Sequence, residues 1–328
     1  MAPEPGLRQL AAIESRIIEV PAAEDAGTGI PVTIVRGARP GPTLAVIAGN
    51  HGYEYPPILA LQRLRGQMDP AELSGRILMV HAANMPSFLG RTVYFSPVDG
   101  KDLNRVYPGR IDGTVSERIA YAITAEVIEK ADYVLDLHCG DGNEWLRPYV
   151  YQNVTGNAAM DKAIARLVMA FGIDHVVVDR GRPADPARSL YCSTTAITRG
   201  KPAMTVESGS LGMSDEESVE RIVTGIHGVL RELHMKEGGP EPLARAVYLE
   251  PTEVVTSPET GILYAQAECG QTVPKGALLA HITDFFGKTV AEVRSPFDGL
   301  VLYIVATPPI TKGQPVACIG VPRTAPRP

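Results

Sequence analysis

Between residues 43 and 236 the chain alternates short apolar runs with longer segments whose apolar residues recur every three to four positions. The runs 43–48, 76–81, 133–137, 148–152, 174–178 and 203–207 have the length of buried strands, and 56–67, 115–130, 157–170 and 215–236 have the length and period of helices. In the last of these, Val219, Ile222, Val223, Ile226, Val229, Leu230 and Leu233 share one face. A strand that is apolar along its whole length must be covered on both sides. Strands alternating with helices therefore predict an α/β fold: a mixed, mostly parallel sheet with helices on both faces. Upstream, 16–20 and 32–35 flank an Ala/Gly/Asp-rich turn and are expected to pair as antiparallel edge strands. Residues 84–113 read as one long loop.

The alternation stops at Gly238-Gly239-Pro240-Glu241-Pro242, a composition that ends helices and reads as a linker. Two units are expected, 1–237 and 245–322. The second contains short β-rich runs, and a Lys-Gly turn followed by an apolar run occurs in it twice, at Lys275-Gly276-Ala277-Leu278-Leu279 and Lys312-Gly313-Gln314-Pro315-Val316. This predicts a small quasi-symmetric all-β barrel-sandwich that resembles biotinyl and lipoyl domains. The hairpin that carries their modified lysine falls near Lys288-Thr289-Val290-Ala291-Glu292-Val293, which lacks the Met-Lys or Asp-Lys signature, so no carrier lysine is expected.

Composition narrows the partners. The 328 residues carry a formal net charge of −6 and no basic run, which argues against nucleic acid. No apolar stretch approaches the roughly 20 residues that span a bilayer, and residues 1–5 show no basic-then-apolar signal. Four cysteines (Cys139, Cys192, Cys269, Cys318) lie far apart, which argues against both a thiolate metal site and a disulfide framework. The expectation is a soluble cytoplasmic protein with reduced thiols and no nucleic-acid or membrane partner. The subunit count stays open, a homo-oligomer included.

In an open parallel sheet, ligands bind beyond the carboxyl ends of the strands, so polar residues that terminate apolar runs mark the place to look. The run 43–48 leads into Gly49-Asn50-His51-Gly52-Tyr53-Glu54, where an imidazole and a carboxylate three residues apart can grip one metal ion. Alone, His-x-x-Glu arises by chance about as readily. Tyr133-Val134-Leu135-Asp136-Leu137 ends at His138, the natural third ligand. Asp136 either orients a ligand imidazole or caps a loop. Catalytic zinc typically takes three protein ligands and keeps one position open, so one Zn²⁺ per chain is expected at His51, Glu54 and His138. The run 203–206 ends at Glu207, placed as a general base on a rigid strand end; a helix-capping role is weaker because a loop follows first. In the loop 84–113, Asn104 and Arg105 suit a substrate carboxylate, since guanidinium matches it as a fork, and Arg91 suits a developing oxyanion. Solvated surface arginines are the ordinary alternative. His81, His175, His227, His234 and His281 have no partners at ligand spacing, and Cys139 reads as packing.

Gly49-Asn50-His51-Gly52-Tyr53-Glu54, Asp102-Leu103-Asn104-Arg105, Asp136-Leu137-His138 and Val206-Glu207-Ser208-Gly209 follow the order seen in the succinylglutamate desuccinylase/aspartoacylase family, of the zinc carboxypeptidase-like superfamily. The resemblance covers nearly the whole chain, including a C-terminal β domain. It implies zinc ligands at His51, Glu54 and His138, a general base at Glu207, carboxylate binders at Asn104 and Arg105, and a carbonyl-polarising Arg91. The activity it implies is a zinc-dependent amidohydrolase that removes a small acyl group from an N-acyl amino acid or similar carboxylated amide. The alternatives are a zinc carboxypeptidase-type peptidase and a binding protein that kept the fold and lost catalysis.

Overall fold

The computed structural model describes residues 11–241, 243 and 245–327. Residues 1–5, read above for a signal, and Pro242 of the linker lie outside the described residues. Strands β1 (Ala12–Val20), β2 (Thr28–Arg36) and β3 (Arg39–Ala48) are followed by helix α1 (Tyr55–Gln67), β4 (Ser74–Val80), and helices α2 (Met85–Gly90) and α3 (Val115–Ile123). Then come β5 (Tyr133–His138), β6 (Glu144–Leu146), β7 (Tyr149–Asn153), α4 (Ala158–Phe171), β8 (His175–Asp179), α5 (Cys192–Ile197), β9 (Ala203–Glu207) and α6 (Glu216–Glu232). The remainder is all β: β10 (Val247–Thr256), β11 (Gly261–Ala265), β12 (Thr272–Val273), β13 (Leu278–Thr283), β14 (Thr289–Arg294), β15 (Gly299–Val305), β16 (Pro309–Ile310) and β17 (Pro315–Arg323).

The main sheet runs β1-β2-β4-β3-β5-β9-β7-β8-β10-β17-β15-β12. Pairing is parallel for β4/β3, β3/β5, β5/β9, β7/β8 and β8/β10, and antiparallel for β1/β2, β2/β4 and β7/β9. The fold is the expected mixed α/β sheet. Its two faces follow from the period of two along a strand. Leu44, Val46 and Ala48 of β3 pack beneath Ile58, Leu61 and Leu64 of α1, Leu167 and Phe171 of α4, and Ile222 and Ile226 of α6. Ala45 and Ile47 of the same strand turn to the opposite layer, against Ile119 and Ile123 of α3 and Cys192 and Ala196 of α5. Either face left to water would strand several fully buried aliphatic side chains, each worth about 1.5–3 kcal/mol.

Helix boundaries follow local chemistry. Asn84, Asn157 and Asp215 cap α2, α4 and α6 by accepting backbone N–H bonds in the first turn, and Thr114 with Glu117 forms a capping box on α3. The expected single helix 115–130 is interrupted: after Ile123 the backbone widens into a π turn, Thr124–Ile128, in which the Glu129 N–H reaches the Thr124 carbonyl five residues back. A short helix, α2, lies in the stretch read from sequence as loop, and another, α5, lies between two expected strands where no element was assigned.

The C-terminal β domain adds a separate antiparallel sheet, β14-β13-β11-β16. It is fastened to the α/β part by backbone pairing as well as by side chains. Strand β10 lies between β8 and β17, β15 pairs with β6, and Leu146, Tyr149, Val177, Leu249, Leu302 and Tyr303 form one buried cluster across the junction. Among the described residues no helix is long and apolar enough to cross a membrane.

Candidate functional site

Three neighbouring parallel strands, β3, β5 and β9, deliver the polar residues at their carboxyl ends. Ala48 pairs with Leu137 and His138 pairs with Glu207, so the ends of the three strands stand side by side. Beyond Ala48 the chain turns at once through Gly49, whose φ of +74° suits glycine and whose added Cβ would lie 3.0 Å from Ala82 Cα. That turn brings His51 and Glu54 back over the end of β5. The stretch Gly52–Glu54 then feeds α1, with proline in its first turn.

His51, Glu54 and His138 converge, with one ligand atom from each lying within 4.8 Å of the others. Glu54 Oε1 is 2.8 Å from His51 Nδ1 and 3.1 Å from His138 Nδ1. The far nitrogens are tied to other carboxylates: His51 Nε2 lies 3.1 Å from Asp102 Oδ1, and His138 Nε2 lies 2.9 Å from Asp136 Oδ1. Asp136 is held in turn by Asn50 Nδ2 at 2.9 Å and the Ser193 N–H at 3.2 Å, while Asn50 accepts from the Tyr107 hydroxyl. Of the two sequence readings for Asp136, the structure selects orientation of the His138 imidazole.

This donor set fits a divalent cation. When each Nε2–H donates to an aspartate, each Nδ1 presents a lone pair toward Glu54, and three Lewis bases face one another in a buried space. Such an array needs positive charge at its centre. Burial opposes an imidazolium at His51 and His138, yet Glu54 and the two aspartates outweigh it and push both well above the usual histidine range. Burial likewise works against the Glu54 carboxylate, but His138 and His51 hold its pKa down at about 2. Glu54 Oε2 is buried as well, 3.0 Å from His138 Nδ1. Two imidazoles and one carboxylate are the donors a catalytic zinc would use.

The cavity at this point, about 160 Å³, is lined by the three candidate ligands and by Asn104, Arg105 and Glu207. Burial pushes the Glu207 carboxyl well above the usual range, His138 opposing it and Glu54 and Glu144 adding to it. Glu207 does not cap α6; Asp215 does. Asn104 is buried, its Oδ1 accepting from the Cys192 N–H at 2.9 Å and its Nδ2 lying 3.3 Å from His138 Nε2. Arg105 lies over the Tyr191 ring at 4.8 Å. Arg91 is not brought to the cavity: it ends α2 in a left-handed conformation and is exposed. Cys139 is buried, as packing requires, and also touches the cavity wall.

Residues that sequence reasoning missed also line it, among them Tyr94, Asp141, Glu144, Arg182, Tyr191 and Tyr303. Arg182 lies over Tyr191 at 4.0 Å and over Tyr151 at 5.3 Å, so two guanidinium groups share one aromatic ring. Burial lifts Asp141 to about 6 and Glu144 to about 7. Glu144 opens β6, which β15 holds from the C-terminal domain, and the same strand supplies Tyr303. The one legible signal was the polar stretch Gly140–Glu144 directly after His138.

Residues 40–233 match the model of the succinylglutamate desuccinylase/aspartoacylase catalytic domain. The chain is 32% identical over 299 residues to the N-alpha-acetyl-L-2,4-diaminobutyric acid deacetylase of Halomonas elongata, covering 89% of this chain and 85% of that one. The chain belongs to the succinylglutamate desuccinylase/aspartoacylase family. Members of this family are deacylases. The product-bound ectoine utilization protein of Ruegeria pomeroyi superposes with a TM-score of 0.84 at 27% identity, covering 96% of this chain and 97% of that one. A succinylglutamate desuccinylase/aspartoacylase of Rhodobacter sphaeroides gives the same TM-score at 25% identity, with 96% and 98% covered. Both likenesses extend through the C-terminal β domain, as the family resemblance implied.

Proposed function

We propose that the chain is a zinc-dependent amidohydrolase that removes a small acyl group from an N-acyl amino acid. The observation that carries this reading is the convergence of His51, Glu54 and His138 beside Glu207, at the carboxyl ends of three adjacent strands. A zinc ion held by the triad would supply Lewis acidity toward an amide carbonyl and toward water. Glu207 takes a proton from the water as its oxygen adds to the carbonyl carbon, then returns it to the amide nitrogen as the C–N bond breaks, leaving an acid and a free amine. Asp136 and Asp102 hold the two imidazoles in the orientation the triad needs. Arg105, with Asn104 at its base, receives the substrate carboxylate through charge-assisted hydrogen bonds. Arg91 can polarise the carbonyl only by moving in from its exposed position at the end of α2.

Two further points support a small substrate. The cavity, about 160 Å³, is smaller than the roughly 300–1,000 Å³ of pockets that hold drug-sized ligands, and its lining includes Glu144 and Tyr303, from the paired strands β6 and β15. The Halomonas relative is named for an acetylated α-amino acid, so acetyl is the first acyl group to try. The test is release of free amine over a panel of N-acetyl and N-succinyl amino acids and tetrapeptides. Hydrolysis of small N-acyl amino acids with little tetrapeptide cleavage is expected. Efficient tetrapeptide trimming with no release from the small amides would favour a carboxypeptidase, and no release from any would favour a binding protein.

A further inference from the structure

We infer that Glu250, on the first strand of the C-terminal β domain, is a positioning residue for the cavity. Through Arg180 it fixes the stretch that carries Arg182 over the Tyr191 ring, the same ring on which Arg105 rests. This role rests on the reading proposed above, in which Arg105 receives the substrate carboxylate, and it adds a residue from outside the cavity. Arg182 and Tyr191 belong to the lining, whereas Arg180 and Glu250 stand behind it.

The stretch 180–184, Arg-Gly-Arg-Pro-Ala, leaves β8 without regular secondary structure and makes no backbone–backbone hydrogen bond among the described residues. Side chains therefore hold it. Arg182 is held by Asp179 at 2.5 Å and by the rings of Tyr151 and Tyr191, and Asp179 also accepts the Gly181 N–H at 2.9 Å. Arg180, two residues earlier, reaches the C-terminal domain instead. Its Nε donates to Glu250 Oε1 at 2.8 Å and its Nη2 to the Arg327 carbonyl at 2.6 Å. An unfastened stretch would sample many conformations, and each binding event would carry the cost of ordering it. That cost falls on KM rather than on the proton transfer at Glu207.

Two observations mark Glu250 as built for this contact. It is 7% exposed, yet both carboxylate oxygens are engaged, Oε2 accepting the Arg327 N–H at 3.0 Å, and its carbonyl accepts from Arg323 Nε at 2.7 Å. A buried carboxylate that loses its cation keeps the desolvation and forfeits the attraction, so Arg180 is more than a surface partner. The strand itself is also broken to place it. β10 pairs with β17 at Leu249↔Pro322 and next at Thr252↔Gly320, so three steps along β10 span two along β17, and Glu250 lies in that bulge. Bulges recur beside active sites, where they re-aim a side chain. On its other edge Leu249 pairs with Val177, so the bulge stands next to the end of β8 from which the 180–184 stretch departs.

The experiment measures kcat and KM on an N-acetyl amino acid that the wild-type protein hydrolyses, for Glu250→Gln, Arg180→Ala, Arg182→Ala and the double variant Glu250→Gln/Arg182→Ala. Hydrogen exchange of the free proteins, read by mass spectrometry, runs alongside. Glu250→Gln and Arg180→Ala should each raise KM about tenfold, the worth of one charge-assisted hydrogen bond, and leave kcat within about twofold. In the Arg182→Ala background Glu250→Gln should add nothing further, since both act through one stretch. Exchange in Glu250→Gln should quicken over 180–191 and stay unchanged in β8 and β10. An unchanged KM, a rise of the same size with Arg182 already removed, or exchange that quickens equally through β8 and β10 would overturn the role and leave a structural ion pair. Arg180→Ala alters an exposed residue and carries the same test if Glu250→Gln does not fold. If the wild-type protein hydrolyses no N-acetyl amino acid, the reaction reading fails and exchange alone decides: quickening confined to 180–191 upholds the fastening, and none ends it.

Discussion

Replacing Glu207 by glutamine isolates the proton-transfer step. Glu207 and His138 are register partners on neighbouring parallel strands, and Glu207 lines the same cavity as the triad. Glutamine fills the same volume and removes only the capacity to take a proton. General-base assistance is typically worth about 10²- to 10⁴-fold, equivalent to about 3 to 5 kcal/mol in the barrier. The prediction is therefore a fall in kcat of that size, measured as free amine released from an N-acetyl amino acid, with zinc content unchanged. The pH profile gives a second readout. Only the ionised form can act as base, and burial raises the pKa of Glu207, so wild-type activity should climb as pH rises through it. A cation bound beside it draws that pKa back down. The climb should vanish in Glu207→Gln. A variant that keeps turnover within a few-fold of wild type, or keeps the same pH rise, would show that another group is the base.

Arg105→Lys should lower kcat/KM by about 10- to 100-fold, mainly through KM, because an ammonium cannot reproduce the planar fork or its stacking on Tyr191; unchanged kinetics would place the substrate carboxylate elsewhere. Gly228→Ala should destabilise the fold by about 1–3 kcal/mol in urea denaturation, since the added methyl on α6 would run into the Ala170 carbonyl of α4, and an unchanged midpoint would mean that the two helices separate freely. Intact mass of protein from its native host should show no biotin or lipoyl adduct. The tip of the β13/β14 hairpin exposes Phe285 and Phe286 where a carrier would present its lysine, and an adduct there would refute the reading.

The parts of this site that sequence revealed are those written in local pattern. The continuous apolar runs of β3, β5 and β9 could only be interior strands, and each led into a candidate ligand or base that the parallel register then aligned. What stayed hidden depends on long-range partners. Strand β6 is three residues long and exists because β15, far away in the chain, pairs with it, so nothing near Glu144 announced a strand or a buried acid. Arg182 sits in a Gly- and Pro-rich stretch; it is held by an ion pair with Asp179 and by the rings of Tyr151 and Tyr191. Helix α5 has six residues, too few to show a period. Arg91 differs in the opposite sense: it ends α2 in a left-handed turn and is exposed, a placement that its position in the loop did not announce.

The central claim is that His51, Glu54 and His138 hold one catalytic zinc ion, and elemental analysis of the purified protein, paired with an amide-hydrolysis assay, tests it most directly. The wild-type chain should contain one zinc per chain and lose metal and activity together on chelation. His51→Ala and His138→Ala should lose both while staying folded, because two remaining ligands cannot hold the ion against water. Full zinc occupancy in either variant, or undiminished hydrolysis by metal-free protein, would contradict the account.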